Sequence, residues 1–144
     1  MDNSLSERQK IEKIYHNKKY EGHVSSNNVT QEREAHKFFS ELIGDARGLR
    51  ILDFGCGNGW LGISLAKSGA EVYGIDISGE LLKKARDLAR SERISEKIYF
   101  MEMPGENLTF QENYFDLVLG SSILHHTELP MAIKSISRPK CCLP

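Results

Sequence analysis

The sequence predicts an α/β fold: a doubly wound parallel sheet, incomplete, with about four strands present. Three observations predict it. From residue 49 onward, short apolar runs alternate with segments of helical periodicity. A glycine cluster, Gly55, Gly57 and Gly59, stands where the first run ends and the next helix begins. The run Phe115–Gly120 is apolar enough to be buried on both faces, as central strands of parallel sheets are.

Residues 1–31 are expected to form a polar N-terminal helix and linker. Apolar positions there are sparse (Ile11, Ile14, Tyr15), which suits a short, weakly amphipathic helix. The Ser- and Asn-rich stretch His23–Gln31 has little to bury and reads as a loop. The α/β domain is expected over residues 32–138, followed by a tail at 139–144. Ala35, Phe38, Phe39 and Leu42 recur at i, i+3, i+4 and i+7, the stripe of a helix that Gly44 ends. Leu49–Phe54 is the first strand. Trp60–Ser68 is a helix with Leu61 and Leu65 on one face and Gly69 just past its end. Glu71–Ile75 is the second strand. Ser78 caps a helix to about Arg90, with Leu81, Leu82, Ala85, Leu88 and Ala89 as its apolar face. Lys97–Met101 and Phe115–Gly120 are the third and fourth strands, and Leu129–Ile136 carries a last helical pattern. Right-handed crossovers would join these strands in parallel, and no internal repeat is visible.

At 144 residues the chain is the size of one domain. A chain of that size can bury roughly 68% of the surface its unfolded form exposes. Lys and Arg total 19 and Asp and Glu 20, a net charge of −1 that leaves no electrostatic footprint for nucleic acid or an anionic membrane. No apolar run approaches the ~18 residues of a membrane span. The polar start, Met1–Lys19, does not read as a signal peptide. Cys56 and the adjacent Cys141 and Cys142 make no disulfide framework, so a reducing, cytoplasmic compartment is expected. The Asn-x-Thr triplets at Asn28 and Asn107 are then chance matches.

The sharpest motif is Asp53-Phe54-Gly55-Cys56-Gly57-Asn58-Gly59. Glycines at a strand-to-helix junction permit a tight turn and let a ligand approach the backbone, and the helix start beyond them offers free N–H groups. Asp76 follows Gly59 by 17 positions, at the tip of the second strand. Adjacent strand tips of a parallel sheet open into one crevice, where a carboxylate can accept both hydroxyls of a ribose. Loop and acid together read as a site for an adenosine-containing ligand, against the alternative of a glycine-rich turn with a surface Asp. A dinucleotide fingerprint would place its third glycine one position later, where this chain has the bulky Trp60. A phosphate-binding P-loop is excluded, because no Lys follows Gly57 or Gly62.

The run Asp53-x-Gly55-x-Gly57-x-Gly59, with Asp76 in Val72–Ser78, resembles motif I and the second-strand acid of class I methyltransferases. Asn107–Phe110, Phe115–Gly120 and Ile123–His126 are similar to the fourth-strand region of their small-molecule group. The resemblance covers roughly residues 35–138. It implies a Rossmann-like sheet, S-adenosylmethionine as cofactor and a small-molecule methyl acceptor. It further implies that Gly55, Gly57 and Gly59 line the methionine and ribose parts of the cofactor. Asp53 would orient the methionine amino group, directly or through water; Asp76 would hold the ribose hydroxyls; Ile77 would pack on the adenine. Ser121 falls where the family's backbone meets the amino-acid end of the cofactor.

Two departures stand out. Pro104 occupies the place of the family's frequent adenine-binding acid, leaving the N–H of Gly105, or Glu102 or Glu106, to make that contact, and a weakened affinity is expected. After Ser137-Arg138 the family continues with a turn and three more strands, whereas this chain reads Pro139-Lys140-Cys141-Cys142-Leu143-Pro144. That predicts a C-terminally truncated domain whose fourth strand is an open edge suited to self-association.

His125 and His126, beside the expected transfer position, are the candidates for a general base or an acceptor-orienting group. The competing reading makes them loop residues, since methyl transfer from a sulfonium needs little beyond proximity and alignment. Tyr15 and Tyr20 are weighed as a lid over the cofactor against ordinary packing, which is favoured. Cys56 reads as a small loop residue rather than a nucleophile, and Cys141 and Cys142 lack the further spaced ligands of a metal site. Two rival functions remain: a catalytically silent fragment that binds cofactor or a partner only, and a nicotinamide-dependent oxidoreductase. Trp60 and the lack of a Tyr-x-x-x-Lys dyad speak against the latter.

Overall fold

The structure, a computed structural model, describes residues 5–20, 29–111 and 113–120. Strands β1 (Arg50–Phe54), β2 (Glu71–Asp76), β3 (Ile98–Glu102) and β4 (Leu117–Leu119) pair in parallel in the order β3-β2-β1-β4. Helices α1 (Glu7–Tyr20) and α2 (Val29–Ile43) precede the sheet, α3 (Trp60–Lys67) joins β1 to β2, and α4 (Gly79–Ser91) joins β2 to β3. This is the Rossmann-like arrangement that the alternation of segments predicts.

The strands alternate their side chains between two clusters. Ile51, Val72, Ile98, Leu117 and Leu119 face Phe39 of α2, Leu61, Ile63, Leu65 and Ala66 of α3, and Ala89 of α4. Leu52, Phe54, Ile75 and Val118 face the other way, onto Phe115, Met101, Met103, Leu108, Phe110 and Tyr114. Among the described residues no helix contributes to this second cluster; the segment following β3 supplies it instead.

Helix ends follow local chemistry. Ser78 caps α4 as the sequence predicts, its Oγ accepting the Leu81 N–H at 3.3 Å. Gly44 follows α2 with φ +69°, a left-handed stop that glycine takes without strain. Other boundaries move. α2 begins at Val29, so the predicted loop ends before residues 29–31, where the Ser/Asn run gives way to helix formers. Its core stripe is Ala35, Phe39 and Ile43, while Phe38 and Leu42 stay 57% and 45% exposed. β3 starts at Ile98, because the Lys97 N–H closes a turn onto the Ile94 carbonyl at 2.9 Å, and it reaches Glu102. β4 is confined to Leu117–Leu119; ahead of it Asp116 exchanges two 2.8 Å hydrogen bonds with the backbone of Arg50. The helix expected at Leu129–Ile136 lies outside the described residues. None of the described helices is long and apolar enough to cross a membrane.

Candidate functional site

The chain runs from β1 outward to β2 and β3, then returns to the far side of β1 as β4. The strand order therefore reverses at β1, and a crevice opens beyond the carboxyl ends there. The glycine loop fills that position. The Cys56 N–H bonds to the Ile75 carbonyl at 2.9 Å, and the Gly57 N–H to Asp76 Oδ2 at 2.9 Å, so the loop is stitched to β2. Gly57 has φ +55°, and a Cβ built on it would meet nothing within 4 Å: the space over the loop is open. Gly59, at φ +80°, differs, since its Cβ would lie 2.8 Å from Phe100 Cζ and 2.9 Å from Ala85 Cβ. The space beside Gly57 is thus empty, and that beside Gly59 is taken by the protein's own packing. Gly59 is also the N-cap of α3 and offers no side-chain cap; Asn58 Oδ1 accepts the Trp60 N–H at 3.5 Å instead.

Two acids underlie this loop. Asp53 is 2% exposed, and its Oδ2 accepts the Gly62 N–H at 3.1 Å, fastening the first turn of α3 to β1. Burial pushes its carboxyl up to about 7, with the Gly62 bond opposing and the nearby Asp76 charge adding to the rise. Asp76 stands at the tip of β2. Its Oδ1 accepts the Ser78 N–H at 2.8 Å while Oδ2 takes Gly57. Burial raises its pKa too, and the N–H bonds and the neighbouring His16 ring offset that rise in part. A carboxylate has about four acceptor positions, so these N–H groups do not exhaust its capacity for a hydroxyl donor. Burial raises the Cys56 thiol well above its ordinary range, so the neutral thiol of a loop residue is what the site holds.

The third wall comes from α1 and the loop after β3. Glu102 stands in register with Asp76 at the adjacent strand tip, and its carboxylate pairs with Lys13 of α1. Glu106 is buried, with Oε1 accepting Arg8 Nη2 at 2.6 Å and Oε2 accepting Gln9 Nε2 at 2.9 Å. Farther along α1, Asn17 Oδ1 accepts the Ser78 hydroxyl at 2.7 Å. Thus both acids weighed as substitutes for an adenine contact are engaged by α1. Gly105 packs on Phe54, where a Cβ would fall 2.1 Å from the ring Cζ.

The structure thus brings Asp53, Gly55, Gly57, Gly59, Asp76 and Ile77 together at the neighbouring tips of β1 and β2, with Gly105 on the following loop. Ser121, His125 and His126 lie outside the described residues. Tyr15 is 57% exposed, set edge-on to His16, and the side chain of Tyr20 lies outside the described residues. Sequence reasoning missed Arg8, Gln9, Lys13 and Asn17. The signal was the spacing of Gln9, Lys13 and Asn17 at i, i+4 and i+8, one stripe of a helix.

Comparison with known proteins places the chain in a family. The methyltransferase domain family matches residues 51–139. The ubiquinone biosynthesis O-methyltransferase of Bordetella avium is 35% identical over 98 residues, which are 67% of this chain and 40% of that protein. The chain therefore spans about 40% of the length of this curated relative. The crystal structure of magnesium protoporphyrin IX methyltransferase (ChlM) from Synechocystis PCC 6803 with bound SAH superposes with a TM-score of 0.74 at 25% identity, covering 92% of this chain and 68% of that one. Geranyl diphosphate C-methyltransferase from Streptomyces coelicolor A3(2) shares the fold, with a TM-score of 0.81 at 15% identity over 94% of this chain and 61% of that one. On sequence and topology alike, the chain belongs to the class I S-adenosylmethionine-dependent methyltransferases.

Proposed function

We propose that the chain forms the cofactor site of a methyltransferase that acts on a small-molecule acceptor. The observation that carries this reading is the Asp76 carboxylate, held by the N–H groups of Gly57 and Ser78 beside the open space over Gly57. S-adenosylmethionine fits these residues: a diol acceptor, a glycine backbone with open space over Gly57, and the start of a helix stand together. Bound there, it supplies a methyl group already activated on a sulfonium.

In this reading Asp76 accepts the ribose hydroxyls, Ile77 packs on the adenine, and Gly55, Gly57 and Gly59 border the methionine and ribose. Asp53, buried on Gly62, sets the start of α3 and acts on the amino group through that backbone or through water. The Gly105 N–H faces the adenine edge. Ser121 meets the amino-acid end of the cofactor, and His125 and His126 orient the acceptor. The protein's part in the reaction is alignment of donor and acceptor, which is where most of the acceleration of such a displacement arises.

The names of the relatives support a small acceptor: ubiquinone biosynthesis, magnesium protoporphyrin IX and geranyl diphosphate are what their names carry. A near-neutral charge and a buried, unpaired Cys56 suit a cytoplasmic setting. A second reading is binding of cofactor without turnover. Incubation with S-adenosylmethionine and a small phenol, read as S-adenosylhomocysteine formed, separates the two. Turnover supports the enzyme; saturable binding without turnover supports the silent site. Absence of binding by S-adenosylmethionine overturns both.

A further inference from the structure

α1 is built the wrong way round for a helix that docks by burying apolar residues. Its inward contacts are polar, while Ile11, Ile14 and Tyr15 remain 67%, 55% and 57% exposed. Three fastenings hold it. Arg8 and Gln9 clasp Glu106, Lys13 pairs with Glu102, and Asn17 binds Ser78 and, at 3.4 Å, the Glu80 N–H. They are spread over ten residues of helix, ~13 Å of axis at 1.5 Å per residue. Each fastening lands within a few positions of a strand tip. Ser78 lies two residues past Asp76, Glu102 is the last residue of β3, and Glu106 follows it in the loop that carries Gly105.

Glu106 stands out among them. Its side chain is 6% exposed, yet Arg8, its charged partner, is 41% exposed. A carboxylate so buried is costly unless it is paired, and through Arg8 and Gln9 it ties the loop that carries it to α1. That loop is short and sits directly on Phe54, the residue before Gly55.

We infer that Glu106 is a positioning residue: through Arg8 and Gln9 it locks the 103–107 loop against α1, and this lock sets the affinity of the neighbouring adenosine site. The inference rests on the reading of that site as a cofactor site. Ordering the loop before the ligand arrives removes an entropic cost from binding, so loosening it lowers affinity without touching a ligand-contacting residue.

The test uses the full chain, with S-adenosylhomocysteine as probe. Arg8→Ala and Glu106→Gln are titrated calorimetrically beside the parent, at a temperature where circular dichroism shows all to be folded. Affinity is expected to fall on the order of tenfold in each. Arg8→Lys, which keeps the charge, is expected to recover most of the loss. Hydrogen exchange of the ligand-free proteins reads the lock separately, and faster exchange is expected at residues 103–107 in Arg8→Ala. Unchanged affinity in both variants, with a parent that binds, overturns the inference. So does unchanged exchange at 103–107 in Arg8→Ala, which needs no ligand at all. A parent that fails to bind removes the cofactor reading, and with it the effect on affinity, and the exchange result then shows whether the lock itself exists.

Discussion

Asp76 Oδ2 accepts the N–H of Gly57 at 2.9 Å, tying the acid at the end of β2 to the glycine loop at the end of β1. One side chain thereby shapes the loop and presents the remaining lone pairs to whatever enters the crevice. Asp76→Ala is expected to weaken binding of S-adenosylhomocysteine by roughly ten- to over a hundredfold, the effect of losing a hydrogen-bond acceptor of 1.5–3 kcal/mol. Calorimetric titration of the variant checks it; parent-like affinity would remove Asp76 from the site.

Gly57 and Gly59 are expected to fail differently. Substituting Gly57 by Val strains a positive φ and fills open space, so the fold should survive while ligand binding is lost. Gly59→Ala drives a methyl into Phe100 and Ala85, and should cost about 1–3 kcal/mol of stability, seen as a lowered Tm. Equal losses of stability in the two variants would show that the loop makes no distinction between ligand space and packing.

Asp53 yields a pH signature. Its folded-state pKa, pushed up to about 7, lies above its unfolded value, so the native state holds a proton that the unfolded chain releases. Its contribution to stability is fully present below about pH 4 and is lost as pH rises towards 7. Asp53→Asn, which keeps an acceptor for the Gly62 N–H, removes that loss. Relative to the parent, the variant should gain on the order of 1–4 kcal/mol between pH 4 and 8. Urea unfolding of both proteins across that range measures the difference; a difference independent of pH would contradict a buried, proton-holding Asp53.

Much of this was legible in the sequence because the β1 to β3 region obeys local rules. The Asp53–Gly59 motif, the Ser78 cap and the acid at the tip of β2 are each fixed by residues near one another in the chain. The role of α1 was not legible, because it depends on partners far off in the sequence. Arg8 and Gln9 meet Glu106 at separations of 98 and 97 residues. Polar residues on a helix face ordinarily read as solvent-facing, and here that rule inverts. The exposed Phe38 and the buried Phe39 make the same point for α2: period alone gives a stripe, and only the packing against α3 decides its centre.

Titration of the full chain with S-adenosylhomocysteine and, side by side, with NAD is the most direct test of the central claim that this glycine loop and Asp76 bind the methyl-donor cofactor. Saturable binding of S-adenosylhomocysteine, lost in Asp76→Ala, with none to NAD, is the expected result. Binding of NAD in its place, or binding of S-adenosylhomocysteine that Asp76→Ala leaves unchanged, would contradict it.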